Sequence, residues 1–223
     1  MFVGHLAVAL AAKRLSPRAP LAALVAAAYG LDLLWPFLLL AGIERVRVDT
    51  AASAFTPLVF EHYPWSHSLS MATIWSVGAG RLAASLLGNA VAGAVIGFVV
   101  LSHWLLDFVV HVPDLPLWPG GPRVGLGVWN SIPGTLSVEG ALVALCTVLY
   151  VRGTRPVGTA GRWALWSLLA FTGLIWVSQP FSPPPPGVGA IAWVGLALWI
   201  LPLWGWWIDR TREATSRGRR SRS

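Results

Sequence analysis

Residues 89–111 read NAVAGAVIGFVVLSHWLLDFVVH, an apolar run in which only His103, Asp107 and His111 can carry a charge. A helix needs about 20 predominantly apolar residues to cross the hydrocarbon core of a bilayer. The run therefore predicts a transmembrane helix. Ionisable side chains are costly inside a membrane, so the three in this helix are the first candidates for a functional site.

Five more apolar runs surround this one along the chain. The predicted spans are residues 19–42, 66–86, 89–111, 135–152, 163–181 and 188–208. The stretch 2–12 is too short to span and predicts a half-span or an interfacial helix. The predicted fold is all-α: a polytopic transmembrane helical bundle of about six spans plus a short N-terminal half-helix, in a single domain over residues 1–223.

The composition excludes a water-soluble globule. Hydrophobic residues make up 56% of the chain and charged residues only 11%, whereas soluble domains carry about 25% charged residues. Cys146 is the one cysteine in the sequence, which excludes a disulfide framework. The sequence also lacks a nucleotide-binding loop and a serine-nucleophile elbow.

The basic residues predict the topology. With the N-terminus inside, 13 of the 16 Lys and Arg residues fall in inner segments, six of them in the stretch 209–223. Lysine and arginine concentrate in the cytoplasmic loops of membrane proteins. We therefore predict two cytoplasmic termini and a basic cytoplasmic tail over residues 209–223. The predicted partner of this positive charge is the lipid bilayer, not nucleic acid.

The polar residues are unevenly distributed. All five histidines lie within residues 1–111, whereas the predicted fifth and sixth helices contain no His, Asp, Glu or Lys. We interpret residues 1–111 as the half that carries the polar site and residues 135–208 as scaffold helices. Glu139, near the outer end of the fourth helix, either pairs with Arg123 or joins the site.

Three ionisable residues of the third helix share one face. His103, Asp107 and His111 are spaced i, i+4 and i+8, so they fall within an arc of about 80°. Three groups that can bind a metal then point the same way. The alternative is a polar stripe that hydrogen-bonds to a neighbouring helix.

Two further motifs place polar residues on other helices. In YPWSHS (63–68), Ser66 is a predicted N-cap, so His67 lies on the first turn of the second helix. In GLDLLWP (30–36), Asp32 lies within the first helix. A carboxylate at that depth needs a cation, a histidine or a metal as its partner.

The three predicted helices bring these groups to a similar depth. Asp32, His67 and His103 each lie about 21 Å from the predicted inner boundary, in the outer half of the membrane. His5 would be only about 12 Å deep on a straight helix. Pro36 predicts a kink in the first helix.

These motifs resemble the membrane-bound, metal-dependent hydrolase family of bacterial inner-membrane proteins. That family has a Gly-His near the N-terminus, an Asp-rich motif ending an early helix, a Thr-His-Ser motif, and a Ser-His followed four residues later by Asp. The matching residues are Gly4-His5, Asp32, Ser66-His67-Ser68, and Ser102-His103 with Asp107. Leu34 and Trp35 stand where the family has further ligands, which argues against a two-metal site. The chain is also similar to bacterial integral membrane proteins that carry DLLWP and YPWSHS.

The resemblance implies a metal site and a reaction. The expected metal ligands are His5, Asp32, His67, His103 and Asp107, with Asp107 serving either as a ligand or as the general base. The residues expected to orient these ligands are His111, Ser66 and Ser102. Mixed imidazole and carboxylate ligands suit zinc, iron or manganese, and zinc is the metal we expect. The expected activity is hydrolysis of a lipid or lipid-linked substrate near the outer leaflet.

Two other functions stay open at this point. The intramembrane His and Asp residues could form a proton relay or a transit site for metal ions in a transporter. The chain has no internal repeat of the kind that is common in transporters. Alternatively, the cluster could only hold helices together in a non-catalytic structural membrane protein, which would bind no metal. The sequence leaves the oligomeric state open.

Overall fold

The computed structural model describes residues 1–215, and the rest of the predicted basic tail, residues 216–223, lies outside the described residues. Helices make up 68% of the described residues, which confirms the all-α prediction. In chain order the α-helices are α1 (Val3–Leu15), α2 (Leu21–Ala28), α3 (Gly30–Leu40), α4 (Pro64–His67), α5 (Leu69–Leu87), α6 (Ala90–Val110), α7 (Ile132–Gly153), α8 (Gly158–Ser178), α9 (Val188–Ala197) and α10 (Ile200–Thr211).

Three short antiparallel ribbons join these helices. The ribbons pair β1 (Arg45–Val48) with β2 (Leu58–His62), β3 (Leu115–Pro116) with β4 (Arg123–Val124), and β5 (Thr154–Pro156) with β6 (Arg212–Ala214). The first two ribbons belong to the predicted outer segments. On the first of them, the Arg47 guanidinium donates hydrogen bonds to Asp49 and Glu61. The bond from Arg47 lowers the pKa of the Asp49 carboxyl below its usual value.

The predicted tail over residues 209–223 begins as ordered structure. Asp209 belongs to α10, where it accepts a hydrogen bond from Lys13 Nζ at 2.8 Å and another from the Leu21 amide. Arg212 on β6 is buried and donates to the backbone of α8 at 3.1 Å. These contacts tie α10 to α1, α2 and α8, so the first residues of this segment are part of the bundle.

Four helical segments within the described residues are long and apolar enough to cross a membrane. They are Ala90–Val110, Ile132–Gly153, Gly158–Phe181 and Val188–Thr211. The pair α2 and α3 adds a fifth if its 54° bend lies within one span. The 19-residue α5, which includes Arg81 and several serines and glycines, is not among them. Length and composition therefore support a membrane protein, but about six spans are not confirmed.

The helices at the periphery of the bundle have apolar surfaces. Leu174 is 72% exposed, Trp193 68% and Leu203 67%. Extensive apolar exposure is unusual in soluble monomers, whereas a bilayer accommodates it. Helix α6 is less exposed than the other three candidate spans. In α6, 56% of the span is buried, compared with 22–28% in the others. This burial places α6 and its polar residues inside the bundle.

The bend in the first predicted span does not lie at Pro36. That proline is inside α3, and the axis turns instead between Ala28 and Gly30, around Tyr29. The Ala28 carbonyl at this bend lies 2.7 Å from His103 Nδ1 on α6. The break in the helix thus provides an acceptor for one of the predicted ligands.

Small residues let α5 and α6 approach closely. Gly88 ends α5 in the left-handed conformation (φ 57°), and Asn89 then caps α6 by accepting from the Ala92 amide at 2.9 Å. A Cβ added to Gly93 would lie 2.5 Å from the Gly80 carbonyl oxygen. The two backbones therefore touch at these glycines, which is a common way for membrane helices to associate.

We expect Gly93→Ala to lower the unfolding midpoint, because the new methyl group must push α5 away from α6. Overpacking of this kind costs about 1–3 kcal/mol. Gly78→Ala is the matched control, since a Cβ there would meet nothing within 4 Å. Thermal unfolding in detergent, followed by circular dichroism, compares the two variants. Equal midpoints would contradict the close backbone contact.

Candidate metal centre

The structure brings together all five residues predicted as metal ligands. His5 comes from α1, Asp32 from α3 and His67 from α4, while His103 and Asp107 both come from α6. Four of the five are buried, and Asp32 keeps 26% of its side chain exposed. Four separate helices therefore converge on one cluster, which we call the His-Asp cluster.

The His-Asp cluster contains two overlapping groups of potential ligands. They are His5, His103 and Asp107, and Asp32, His67 and His103; within each group the ligand atoms lie within 4.8 Å of one another. His103 belongs to both groups. Its Nε2 atom lies 3.1 Å from Asp107 Oδ2 and 3.7 Å from Asp32 Oδ1. His103 is therefore the geometric centre of the cluster.

The N-terminal helix α1 contributes His5 at close range. His5 Nε2 lies 3.2 Å from Asp107 Oδ1. Its ring stacks on His103 with the centroids 3.8 Å apart and the planes 5° apart. The amine of Met1 also contacts Asp107 Oδ1. The half-helix thus lies against α6 and brings His5 level with the other ligands, although a straight-helix depth estimate places it nearer the inner side.

His67 reaches the His-Asp cluster from α4. Its Nε2 atom lies 3.4 Å from Asp32 Oδ1 and 4.0 Å from Asp107 Oδ2. The helix that carries it is the four-residue α4, not the first turn of a long second helix. Ser66 is therefore not the N-cap of that long helix. Ser68 fills this role by accepting from the Met71 amide at 3.2 Å.

Hydrogen bonds fix the tautomer of His67 through a chain of three residues. Ser66 Oγ lies 2.6 Å from Glu44 Oε2 and 2.6 Å from His67 Nδ1. A carboxylate only accepts, so the serine hydroxyl donates to Glu44 and its oxygen accepts from Nδ1–H of His67. In the neutral ring, the Nε2 atom of His67 then carries a lone pair directed at Asp32. Carboxylate-linked histidines of this kind are typical of metal sites.

Two backbone amides fix the position of the Glu44 carboxylate. It is buried, and its Oε1 atom accepts from the amides of Trp65 at 2.7 Å and Ser66 at 2.9 Å. These two amides belong to the first turn of α4, so one carboxylate both caps this helix and orients His67 through Ser66.

His103 has the same tautomer for a different reason. Its Nδ1 atom is 2.7 Å from the Ala28 carbonyl oxygen, which can only accept, so Nδ1 carries the proton. In the neutral ring, Nε2 therefore presents a lone pair towards the carboxylates of Asp32 and Asp107. Within the described residues, this atom and both ring nitrogens of His5 are buried without a hydrogen-bond partner.

The donor set fits a divalent metal ion. Imidazole lone pairs that face carboxylate oxygens in a buried site repel each other, and a cation between them removes the repulsion. Three imidazole nitrogens and two carboxylates are ligands that zinc, iron and manganese accept. The arrangement of the tautomers, rather than the mere presence of His and Asp, therefore supports a metal centre.

A small cavity of about 140 Å³ opens beside the cluster. Its lining residues are Met1, Phe2, Asp32, Trp35, Phe55, Phe60, His67, Asp107, His111, Trp129, Glu139 and Gln179. Aromatic rings from the outer ribbon and loops form one wall, while the carboxylates and imidazoles form the other. A polar group of modest size in this cavity would lie directly against the predicted ligands.

His111 lies at the edge of the cluster. Its Nδ1 atom is 2.9 Å from Asp114 Oδ1, and the Tyr63 hydroxyl donates to the same oxygen at 3.2 Å. Its Nε2 atom is 3.9 Å from Asp107 Oδ2, which is beyond hydrogen-bond distance. His111 is thus oriented by Asp114 and faces the cavity.

Ser102 has a different partner from the one predicted. Its hydroxyl donates to the Val99 carbonyl at 2.7 Å, one turn back along α6. The two Ser-His motifs are therefore not equivalent, because Ser66 contacts its histidine and Ser102 satisfies the helix backbone.

Sequence reasoning missed two carboxylates around the cluster, Glu44 and Asp114, and left two alternatives open for a third, Glu139. Glu44 and Asp114 orient His67 and His111, and Glu139 lines the cavity. Arg123 does not pair with Glu139, since it donates to the carbonyls of β2 at 3.3 and 2.5 Å. The scaffold half therefore contributes to the site through Glu139. No feature of the sequence alone identifies the contacts of Glu44 and Asp114.

No protein-family model, curated protein or solved structure matches this chain. The resemblance to membrane-bound hydrolases therefore rests on the four motifs, and the arguments for function rest on the geometry of the His-Asp cluster.

Proposed function

We propose that this protein is a membrane-embedded, metal-dependent hydrolase that acts on a lipid or lipid-linked substrate. The observation that carries the proposal is the geometry of two histidines, His67 and His103, whose Nδ1 atoms face fixed acceptors and whose Nε2 atoms face Asp32 and Asp107 beside a cavity. A bound zinc ion would polarise a phosphoryl or carbonyl oxygen and acidify water.

The residues of the chain have distinct roles in this proposal. His67, His103 and Asp32 hold the metal, and His5 and Asp107 complete the ligand set. Both oxygens of Asp107 face imidazole rings, which favours a ligand role for it over that of general base. His111, oriented by Asp114, faces the cavity from its outer side.

The proposed placement in the membrane has six spans: α2 with α3, α5, α6, α7, α8, and α9 with α10. The C-terminal end of α10 then lies on the cytoplasmic side of a bacterial inner membrane, whereas Met1, which contacts Asp107, lies at the His-Asp cluster inside the bundle. Support comes from the basic residues, because Arg81 and Arg152 lie towards the C-terminal ends of α5 and α7, and Lys13 lies beside Asp209 near the C-terminal end of α10. The ribbon β1–β2 belongs to a predicted outer segment and contributes Phe60 to the cavity, which supports a site near the outer leaflet.

The size of the cavity limits the substrate. Typical small-molecule sites occupy about 300–1,000 Å³, whereas this cavity measures about 140 Å³. A phosphoester headgroup fits a space of this order, and the acyl or prenyl chains of the substrate would stay in the surrounding lipid. A lipid phosphoester is therefore the proposed substrate class.

We expect detergent-purified protein to carry about one equivalent of zinc, iron or manganese per chain, measured by mass spectrometry. Removing the metal with a chelator should abolish release of phosphate from phosphatidic acid in mixed micelles, and adding zinc back should restore it. A heat-denatured sample is the control for free phosphate. Protein that binds no metal even after loading would contradict the proposal and favour a proton relay or a structural cluster.

A further inference from the structure

Glu139 is a buried carboxylate that the predicted ligand set does not use. It belongs to α7, is 0% exposed, and its Oε2 atom accepts from the amides of Phe2 at 2.8 Å and Gly4 at 3.2 Å. These two amides precede and begin α1, so Glu139 caps the helix that carries His5. One oxygen of Glu139 is therefore held in a fixed position.

The other oxygen has no such role. Glu139 Oε1 is buried and has no hydrogen-bond partner among the described residues. The same side chain lines the cavity, together with Asp32, Asp107 and His67. A buried carboxylate oxygen without a donor costs free energy. A proton or a donor group inside the cavity is what would satisfy it.

Glu139 differs from the two other acidic residues of the cavity wall. The oxygens of Asp107 contact His5, His103 and the Met1 amine, and Asp32 contacts His67 and His103. Glu139 is not a member of either ligand group. It therefore has an oxygen available for a molecule in the cavity, while the two aspartates are occupied by imidazoles.

We infer that Glu139 is the proton acceptor in the proposed hydrolysis, an inference that rests on the proposed function. Water in the cavity gives a proton to Glu139 Oε1 while its oxygen bonds to the phosphorus of the substrate. The bond from phosphorus to the lipid alcohol oxygen breaks, and that oxygen receives the proton back from Glu139. The balance is water plus phosphoester giving alcohol plus phosphate, with no oxidant or reductant.

The decisive variant is Glu139→Gln, which keeps the shape of the side chain and an oxygen that accepts from the Phe2 and Gly4 amides. Glu61→Gln is the matched control, because it makes the same change on the exposed ribbon. We expect both variants to keep the metal content of the wild type. Turnover of phosphatidic acid in mixed micelles should fall about 10²–10⁴-fold in Glu139→Gln alone, as for loss of a general base.

A second readout does not depend on turnover. Inorganic phosphate in the cavity would face the negative charge of Glu139, so Glu139→Gln should bind phosphate at least about tenfold more tightly than the wild type, measured by calorimetry on metal-loaded protein. Glu139→Asp should recover part of the turnover, since it restores a carboxylate. Glu139→Asp also tests the inference if the glutamine variant folds poorly.

The outcomes separate the two proposals. If the wild type binds metal and hydrolyses the lipid, but Glu139→Gln changes neither turnover nor phosphate affinity, the inference is wrong and the proposed function stands. Loss of metal from Glu139→Gln would make Glu139 a ligand and overturn the inference, as would an aspartate variant no more active than the glutamine one. A wild type that binds no metal overturns both.

Discussion

Replacing His103 with alanine is expected to lower metal affinity by more than about 100-fold. This exceeds the loss that typically follows when a residue that hydrogen-bonds to a metal ligand is removed. His103 belongs to both groups of potential ligands, and its Nε2 atom is the closest imidazole nitrogen to Asp107. Without it, each group retains only two members. Mass spectrometry of the metal content and competition with a chelating dye measure the effect.

The matched control is His62→Ala, which removes an imidazole from β2, outside both ligand groups. It should keep the metal content of the wild type. His103 is completely buried, so the unfolding midpoint of both variants must be compared, and His103→Gln keeps more of the packing against His5. A folded His103 variant with unchanged metal affinity would contradict the metal centre that we describe.

The same experiment distinguishes a metal site from a proton relay and from a structural cluster. In a proton relay, a proton on one imidazole would relieve the repulsion between lone pairs in the cluster, and the wild type would hold no metal for His103→Ala to lose. In a structural cluster, the variant would change stability but not metal content. Only a metal centre predicts that metal content falls in His103→Ala and stays constant in His62→Ala.

The parts of the site that the sequence predicts are those governed by local geometry. The i, i+4 spacing of His103 and Asp107 places both on one face of a helix whatever the helix packs against. The cost of ionisable groups in an apolar run marks Asp32 as a residue that needs a partner. These arguments identify ligands because each depends on one helix at a time.

The parts that the sequence did not predict depend on contacts between distant segments. Glu44 and Ser66 are 22 positions apart in the sequence, and Glu139 is 137 and 135 positions from Phe2 and Gly4, whose amides it accepts from. Helical periodicity carries no information about such contacts. The sequence therefore gives no role to Glu44, and it does not decide between the two alternatives for Glu139.

Errors in the predicted helices also have physical causes. The motif Ser66-His67-Ser68 offers two serines that can cap a helix, and the choice of Ser68 follows from the separate turn that Pro64 begins. The bend at Tyr29, in place of Pro36, shows that a proline can be accommodated inside a helix while the axis breaks elsewhere. Propensity alone does not decide between such neighbouring positions.

The two Ser-His motifs supply a matched pair of variants for the role of Glu44. Ser66→Ala removes the hydroxyl that links Glu44 to His67 Nδ1, so the ring can rotate or carry its proton on Nε2 instead. We expect metal affinity to fall about 10–100-fold, the usual cost of losing a residue that orients a ligand. Competition with a chelating dye at constant pH measures this change.

Ser102→Ala removes the same atoms from the residue before the other central histidine, but Ser102 donates to the Val99 carbonyl and His103 is oriented by Ala28 instead. Its metal affinity should therefore match that of the wild type. Equal losses in Ser66→Ala and Ser102→Ala would mean that the hydroxyls act through general packing. A loss confined to Ser66→Ala, reproduced by Glu44→Gln, would mean that a carboxylate acts on the metal centre through a serine and a histidine.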